Sequence, residues 1–252
     1  MSVSPFIPPT NKYPQSIFPF SFNLSPFSCL RFYRGNVLVV ESSMKILSVN
    51  TSPAKTIMVG DVETKTGIFK LPSDKAVFIG KLGLEGDVQV NKEHHGGKDQ
   101  AVYFYSKEDY EFWEAKLGKK LEYGIFGENL CIEGVSSKDV CVGDRFRIGD
   151  VLLEATGPRI PCSVFAARMN DIAFGKKFIK AGRAGFYCRV INEGKVLVGD
   201  EVSMSKAKDS ITMKELSDLW VDKNRSKDKV RQVLKLDIDE RSRKAYEEYL
   251  AG

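Results

Sequence analysis

The chain has 252 residues, of which 42% are apolar and 28% charged, a composition typical of an ordinary globular protein. No apolar run approaches the roughly 20 residues of a membrane span, so we expect no membrane association. The net charge of +5 suits an anionic small molecule and is too weak to indicate nucleic-acid binding without a basic patch. The five cysteines show no CxxC pair and no zinc spacing, which indicates a reducing compartment without disulfides, most simply the cytoplasm.

Residues 1–43 differ in kind from the rest of the chain. They are rich in Ser, Pro and Phe, and up to Val40 they contain no acidic residue. This composition predicts a disordered extension. It is either an organellar transit peptide or the result of a start codon assigned too early, with the true start at Met44. We favour the second interpretation, because the segment has no amphipathic helical pattern.

Short strands dominate from Met44 onward. Residues 45–50, 56–59, 66–70 and 77–82 are apolar or β-branched segments separated by Gly, Pro and Asp, a pattern typical of a β-sandwich or barrel. The sequence GLEGD at 83–87, with two glycines around one acidic residue, suggests a turn with unusual φ and an inward carboxylate, but from this motif alone we favour an ordinary hairpin loop.

Both histidines of the chain lie in the segment HHGGK at 94–98. Adjacent residues of a strand face opposite sides, so the two histidines do not readily chelate one metal ion. Gly96 and Gly97 allow a ligand to approach the backbone and offer N–H groups to an anion. We take His95 as the more probable ligand contact, with a solvated turn histidine as the alternative.

The next segment alternates strand, helix and loop. Residues 100–105 predict a strand, and Ser106 begins a helix that Gly118 ends. The loop GENL at 127–130 follows and leads into another strand. Its Glu128 and Asn129 offer an acceptor and an amide to a heteroaromatic ligand.

The stretch around Cys162 carries the strongest chemical signal. A hairpin at 142–150 leads into a strand at 151–155 that stops at Gly157-Pro158, and residues 164–169 predict a helix. Two prolines stiffen the intervening turn. Cys162 therefore lies at a helix N-terminus with Arg159 nearby, and both features favour the thiolate. The alternative is a small buried apolar residue.

A further strand at 183–190 places Arg189 and Cys188 on opposite faces. The tail at 205–252 changes to helical spacing, beginning with a capping box at Thr212 and Glu215, and predicts three short helices. It contains 12 Lys and Arg against 10 Asp and Glu, so no basic face indicates nucleic-acid binding.

Six motifs in this order resemble the MOSC family, named for the C-terminal domain of molybdenum-cofactor sulfurases. They are GLEGD at 83–87, HHGG at 94–97, FGENL at 126–130, GDRFRIG at 143–149, PRIPC at 158–162 and GFYCRV at 185–190. The tail resembles the three-helix appendage of the YiiM-type branch. The resemblance implies an α+β protein with a MOSC-type β-barrel core at 44–204 and a three-helix domain at 205–252, after the extension at 1–43.

The resemblance also implies a molybdopterin-type molybdenum cofactor, with Cys162 as the catalytic cysteine and protein ligand to the metal. From side-chain chemistry, we expect cations and backbone N–H groups to hold the cofactor phosphate and polar side chains to fix the pterin edge. The residues expected to contact the phosphate are Gly96, Gly97, Lys98, Arg159 and Arg189. Those expected to contact the pterin edge are His95, Glu128 and Asn129.

The activity implied by the resemblance is reduction of N-hydroxylated substrates, such as hydroxylaminopurines, to amines. The sequence carries no Rossmann fingerprint, haem motif or iron–sulfur spacing. We therefore expect electrons from a separate reductase, a flavoprotein or a small haem protein. Three alternatives remain at this stage: a sulfur carrier with a persulfide on Cys162, a cysteine hydrolase that pairs Cys162 with His95, and a carrier of the cofactor. A pyridoxal-phosphate sulfurase module would normally accompany the first, and the sequence contains none.

Overall fold

The computed structural model describes residues 29–30, 40–41, 44–90 and 96–252, and only the backbone of the first two segments. The chain divides into two compact units, Met1–Glu41 and Ser42–Gly252. In the first unit, Cys29–Leu30 (β1) pairs antiparallel with Val40–Glu41 (β2). The expectation of disorder for residues 1–43 otherwise lies outside the described residues.

The second unit is built mainly from short strands. In chain order they are β3 (Met44–Thr51), β4 (Lys55–Val59), β5 (Val62–Thr66), β6 (Leu71–Pro72), β7 (Val77–Gly80), β8 (Gly83–Leu84), β9 (Val102–Ser106), β10 (Leu130–Glu133), β11 (Arg145–Ile148), β12 (Val151–Pro158), β13 (Phe186–Asn192), β14 (Gly194–Val196) and β15 (Glu201–Ser205).

Seven of these strands close into a barrel in the order β10-β9-β13-β12-β11-β15-β3, because β3 also pairs with β10. Every neighbouring pair is antiparallel except β9 and β10. Alternation along the strands fills the interior: in β11, Phe146 and Ile148 are buried while Arg145 and Arg147 are exposed. Closure leaves the barrel without a free edge.

The described residues form six α-helices beside the strands: α1 (Lys107–Leu117), α2 (Ser163–Arg168), α3 (Phe174–Ala181), α4 (Met213–Val221), α5 (Lys227–Val233) and α6 (Glu240–Ala251). The first three pack against a second, aromatic cluster outside the barrel that includes Tyr105, Trp113, Phe126 and Phe178. No helix in the described part of the chain is long and apolar enough to cross a membrane.

Helix boundaries follow the capping residues that the sequence predicts. The Ser106 hydroxyl accepts a hydrogen bond from the Asp109 backbone N–H at 3.3 Å, and Gly118 ends α1 with a φ of 66°. Thr212 and Glu215 form the expected capping box of α4. The three helices of the tail bury Leu216, Val230 and other apolar residues in the same cluster as the barrel interior.

The structure confirms the expected mixed α+β fold with a β-barrel core, corrects two local predictions and adds one helix. The strand expected at 66–70 is wrong: β5 ends at Thr66, because Gly60 and Asp61 turn the chain into a hairpin one segment earlier. β12 continues to Pro158, because a bulge between Ala155 and Gly157 keeps it paired with β13. Helix α3 was not predicted.

Candidate functional site

A cavity of about 530 Å³ opens beside Cys162 at one end of the barrel. We refer to it as the first cavity. Its wall comes from seven parts of the chain: the end of the β4–β5 hairpin with the residues after it, the loop after β8, the start of β9, the loop before β10, the turn between β12 and α2, strand β13, and helix α6. The polar and aromatic residues that line it are Thr64, Lys65, Thr66, Lys70, Asp87, Gln89, Gln100, Tyr103, Asn129, Arg159, Cys162, Ser163, Tyr187 and Arg241.

Cys162 is partly exposed and is the N-cap residue of α2, with extended backbone angles. Its thiol makes no capping hydrogen bond to the helix. The other free cysteines of the described chain are Cys131, Cys141 and Cys188, and none of them lines the cavity. The turn between β12 and α2 therefore presents one sulfur to the first cavity, where the sequence predicted the reactive cysteine.

Arg159 is buried in the wall of the first cavity with 5% of its surface exposed. One guanidinium nitrogen donates a hydrogen bond to the Phe126 carbonyl at 2.8 Å. The group lies between two rings, 4.9 Å from the Tyr103 centroid and 4.8 Å from that of Phe165. The Nε atom is buried and has no hydrogen-bond partner among the described residues. This arrangement fixes a positive charge beside Cys162.

A buried ion pair joins Lys70 to Asp87 in the same wall. The side chains are 8% and 2% exposed, and Asp87 also accepts hydrogen bonds from the Ser52 backbone N–H at 3.0 Å and the Asn129 amide at 2.9 Å. Burial lowers the pKa of Lys70, against the opposing effect of the Asp87 carboxylate. In the GLEGD turn the Asp87 carboxylate is therefore buried, whereas Glu85, the acidic residue between the two glycines, is exposed.

The two adjacent residues Glu128 and Asn129 have different positions. Asn129 lines the first cavity, but its carboxamide already accepts from the Tyr103 backbone N–H at 3.0 Å and donates to Asp87. Glu128 is fully buried and does not line the cavity; its Oε1 accepts from the Tyr110 hydroxyl and the Gly124 N–H, both at 2.5 Å. Burial raises the pKa of Glu128 to about 7, although these hydrogen bonds oppose the shift.

Arg189 lies away from the first cavity, in a cluster of carboxylates. Its guanidinium pairs with Asp99 at 3.0 Å, with Glu154 at 3.5 Å and with Asp237. The structure therefore gives this side chain three carboxylate partners, and the pair with Asp237 links the barrel to the loop before α6; its contact with a cofactor stays a prediction. The opposite faces expected for Arg189 and Cys188 are confirmed, since Cys188 is buried in the barrel interior.

Helix α6 is held against the barrel by its first turn. The backbone N–H of Glu240 donates to Asp99 at 3.0 Å, and that of Asp239 donates to the Thr156 carbonyl at 3.2 Å. Arg241 follows at once and lines the first cavity, with its guanidinium 5.3 Å from the ring centroid of Trp220. The tail thus completes the wall of the cavity.

The HHGG segment is only partly described, because His95 lies outside the described residues. Gly97 has a φ of 87°, and it precedes a short 3-10 helix at Lys98–Gln100. Gly96, Gly97 and Lys98 are not among the residues that line the first cavity. Whether this segment contacts a ligand stays a prediction.

Sequence reasoning missed several residues of the site, among them Lys70, Tyr103, Tyr187 and Arg241. Lys70 lay within a segment predicted as a strand, and the two tyrosines lay on predicted strands as ordinary aromatic residues. Arg241 is one cation among the many balanced charges of the tail. The described chain contains no cluster of three His, Cys, Asp or Glu that could hold a metal ion by itself.

Comparison with known proteins places this chain in a family. A model of the MOSC domain matches residues 91–203. The uncharacterized protein YflK of Bacillus subtilis is 36% identical over 159 residues, which cover 63% of this chain and 72% of YflK. A Gibberella moniliformis protein named "Reductase" is 35% identical over 146 residues, but these cover 56% of this chain and only 26% of that protein.

Among solved structures, YiiM from Geobacillus stearothermophilus superposes with a TM-score of 0.69 at 27% identity, covering 82% of this chain and 99% of that one. The superposition includes most of the unit at Ser42–Gly252, in agreement with the barrel and the three helices that follow it. The chain belongs to the MOSC family, in its YiiM-type branch.

Proposed function

We propose that this protein is a molybdenum-cofactor-dependent reductase that converts N-hydroxylated bases to amines. The observation that carries the proposal is the position of the Cys162 thiol at the wall of a cavity that also holds Lys70, Arg159 and Arg241. Membership of the MOSC family and the relative named "Reductase" support an association with this class of chemistry.

The donor set of the first cavity fits such a cofactor. A thiolate is a soft ligand that suits a thiophilic metal centre. Three cationic side chains on one cavity wall match a phosphate group. The buried Nε of Arg159, which has no partner among the described residues, is a donor that a bound anion would satisfy. When bound, the cofactor would supply the two-electron redox chemistry of its metal.

The residues of the chain would bind, orient and supply protons. The net reaction is R–NHOH + 2 e⁻ + 2 H⁺ → R–NH₂ + H₂O, with electrons from a separate flavoprotein or haem protein. Arg159 is immobilised by the Phe126 carbonyl and two rings, so it would hold an anion in one place. Lys70 carries a proton at Nζ, and because burial lowers its pKa, it releases that proton more readily than an exposed lysine does.

Metal analysis of protein made in a host that synthesises the cofactor tests the proposal. We expect about one molybdenum per chain, lost in Cys162→Ala and kept in Cys141→Ala, a matched control at a partly exposed thiol outside the cavity. Turnover of 6-hydroxylaminopurine with an artificial reductant is then expected from the wild type. Stoichiometric molybdenum without turnover would indicate a cofactor carrier. Metal-free protein that is alkylated at Cys162 would indicate a sulfur carrier or hydrolase and contradict the proposal.

A further inference from the structure

A second cavity of about 1120 Å³ lies on the other side of Cys162. It is formed by helices α2 and α3, the end of α4 and the tip of the β4–β5 hairpin. The segment 160–163, which contains Cys162, lines both cavities. Cys162 therefore contributes to the walls of both cavities.

A second element of the shared wall comes from the tail. Arg241 lines the first cavity, Trp220 lines the second, and the guanidinium lies 5.3 Å from the centroid of the indole ring. The two cavities thus have different chemical character at their common boundary: cationic on one side and aromatic on the other.

Most of the second cavity wall is apolar. Ile179 and Trp220 are partly buried within it, while Ile172 is 97% exposed at its margin. Ile179 and the indole of Trp220 offer an apolar surface on which a heteroaromatic base can stack.

The charges of this cavity are unbalanced. Its two carboxylates are already paired, Asp171 with Lys177 at 2.6 Å and Asp218 with Lys214 at 2.5 Å. Lys176 and Lys180 also line the cavity, and neither has an ion pair or hydrogen bond within the described part of the chain. They lie one turn apart on α3, about 6 Å along the helix, so both ammonium groups can reach one phosphate.

We infer that the second cavity binds the substrate as a nucleotide, with the base on the apolar surface near Trp220 and Cys162 and the phosphate on Lys176 and Lys180. This inference rests on the proposed function, in which the substrate is an N-hydroxylated base. A free base or a nucleoside fills the apolar surface but leaves both ammonium groups without a counter-ion. The phosphorylated form is therefore the one that uses the whole cavity.

Binding to the cofactor-free full chain tests the inference without turnover. The probes are adenosine 5′-monophosphate, the amine that reduction of its N-hydroxy derivative would give, and adenosine. By titration calorimetry, we expect the nucleotide to bind at least about tenfold more tightly than the nucleoside, and more weakly at high salt. In Lys176→Ala/Lys180→Ala, nucleotide affinity falls to that of adenosine, whereas adenosine binding is unchanged.

The double variant Lys227→Ala/Lys229→Ala is the control. It removes the same charge from exposed positions of α5 outside both cavities, and should change nucleotide affinity by less than twofold. Equal affinity for nucleotide and nucleoside overturns the inference. So does undiminished nucleotide binding in Lys176→Ala/Lys180→Ala, which would place the phosphate in the first cavity. Molybdenum content is measured separately, so the proposed function and this inference can fail independently.

Discussion

The substitution Asp87→Asn tests the electrostatics of the first cavity most directly. It removes the negative charge but keeps the shape of the side chain. The Lys70 side chain, which is only 8% exposed, then has no carboxylate to balance its charge. Removing one partner of a buried ion pair costs about 3–5 kcal/mol. In addition, one amide nitrogen of the new side chain would face either the Ser52 N–H or the Asn129 amide, both of which donate to Asp87. For a domain of this size the loss corresponds to a fall in melting temperature of roughly 10 °C.

The loss of folding stability in Asp87→Asn should also depend on pH. Burial already lowers the pKa of Lys70, and loss of Asp87 removes the strongest effect that raises it. A lysine whose folded pKa lies below its unfolded value destabilises the fold while charged, and stability recovers as pH rises toward the unfolded pKa. We therefore expect the difference in melting temperature between Asp87→Asn and the wild type to shrink from pH 7 to pH 10, as measured by circular dichroism.

The control is Lys70→Met/Asp87→Asn, which removes the unpaired charge and should recover most of the lost stability. The reasoning is refuted if Asp87→Asn melts within about 2 °C of the wild type, or if the double variant is less stable than the single one. Either result would show that water within the cavity, rather than Asp87, balances the lysine charge.

Three further substitutions test other parts of the site. In Glu128→Gln, folding stability should depend less on pH than in the wild type. The pKa of Glu128 is about 7 against an ordinary 4.5, so the wild type loses roughly 3 kcal/mol of stability as pH rises from 4.5 to above 7. The same change of melting temperature with pH in both proteins would contradict this. Gly127→Ala, at a φ of 77°, places a Cβ 2.8 Å from Ile68 and 3.2 Å from Arg159, so it should cost about 2 kcal/mol in denaturant unfolding; a neutral effect would show that the loop relaxes. Arg189→Met should cost about 3 kcal/mol and speed hydrogen exchange in α6 more than in α1, whereas a uniform change would indicate no link to the tail.

Local chemistry made much of the fold predictable. Ser106 and Gly118 bound α1 because a hydroxyl cap and a left-handed glycine are signals within the helix itself. The position of Cys162 at the start of α2 follows from two prolines and the apolar helix after them. By contrast, the Thr66–Lys70 segment has strand-like composition but no partner strand, and only the hairpin register shows that pairing ends at Thr66.

The site itself was less predictable, because its members are brought together by tertiary structure. Lys70 and Arg241 are separated by most of the chain and carry no motif, so nothing local distinguishes them from solvated cations. Arg189 illustrates the converse: as a cation on a predicted strand it suited an anion, but its neighbours in space are Asp99 and Glu154. Side-chain chemistry names candidates, and only packing decides which of them face the cavity.

Because Arg241 lies on the last helix, binding of an anion in the first cavity and packing of α6 against the barrel are thermodynamically coupled. Any anion held by this guanidinium favours the attached position of α6, and attachment favours the anion by the same factor. We therefore expect hydrogen exchange in α6 to slow when an anion binds in the first cavity.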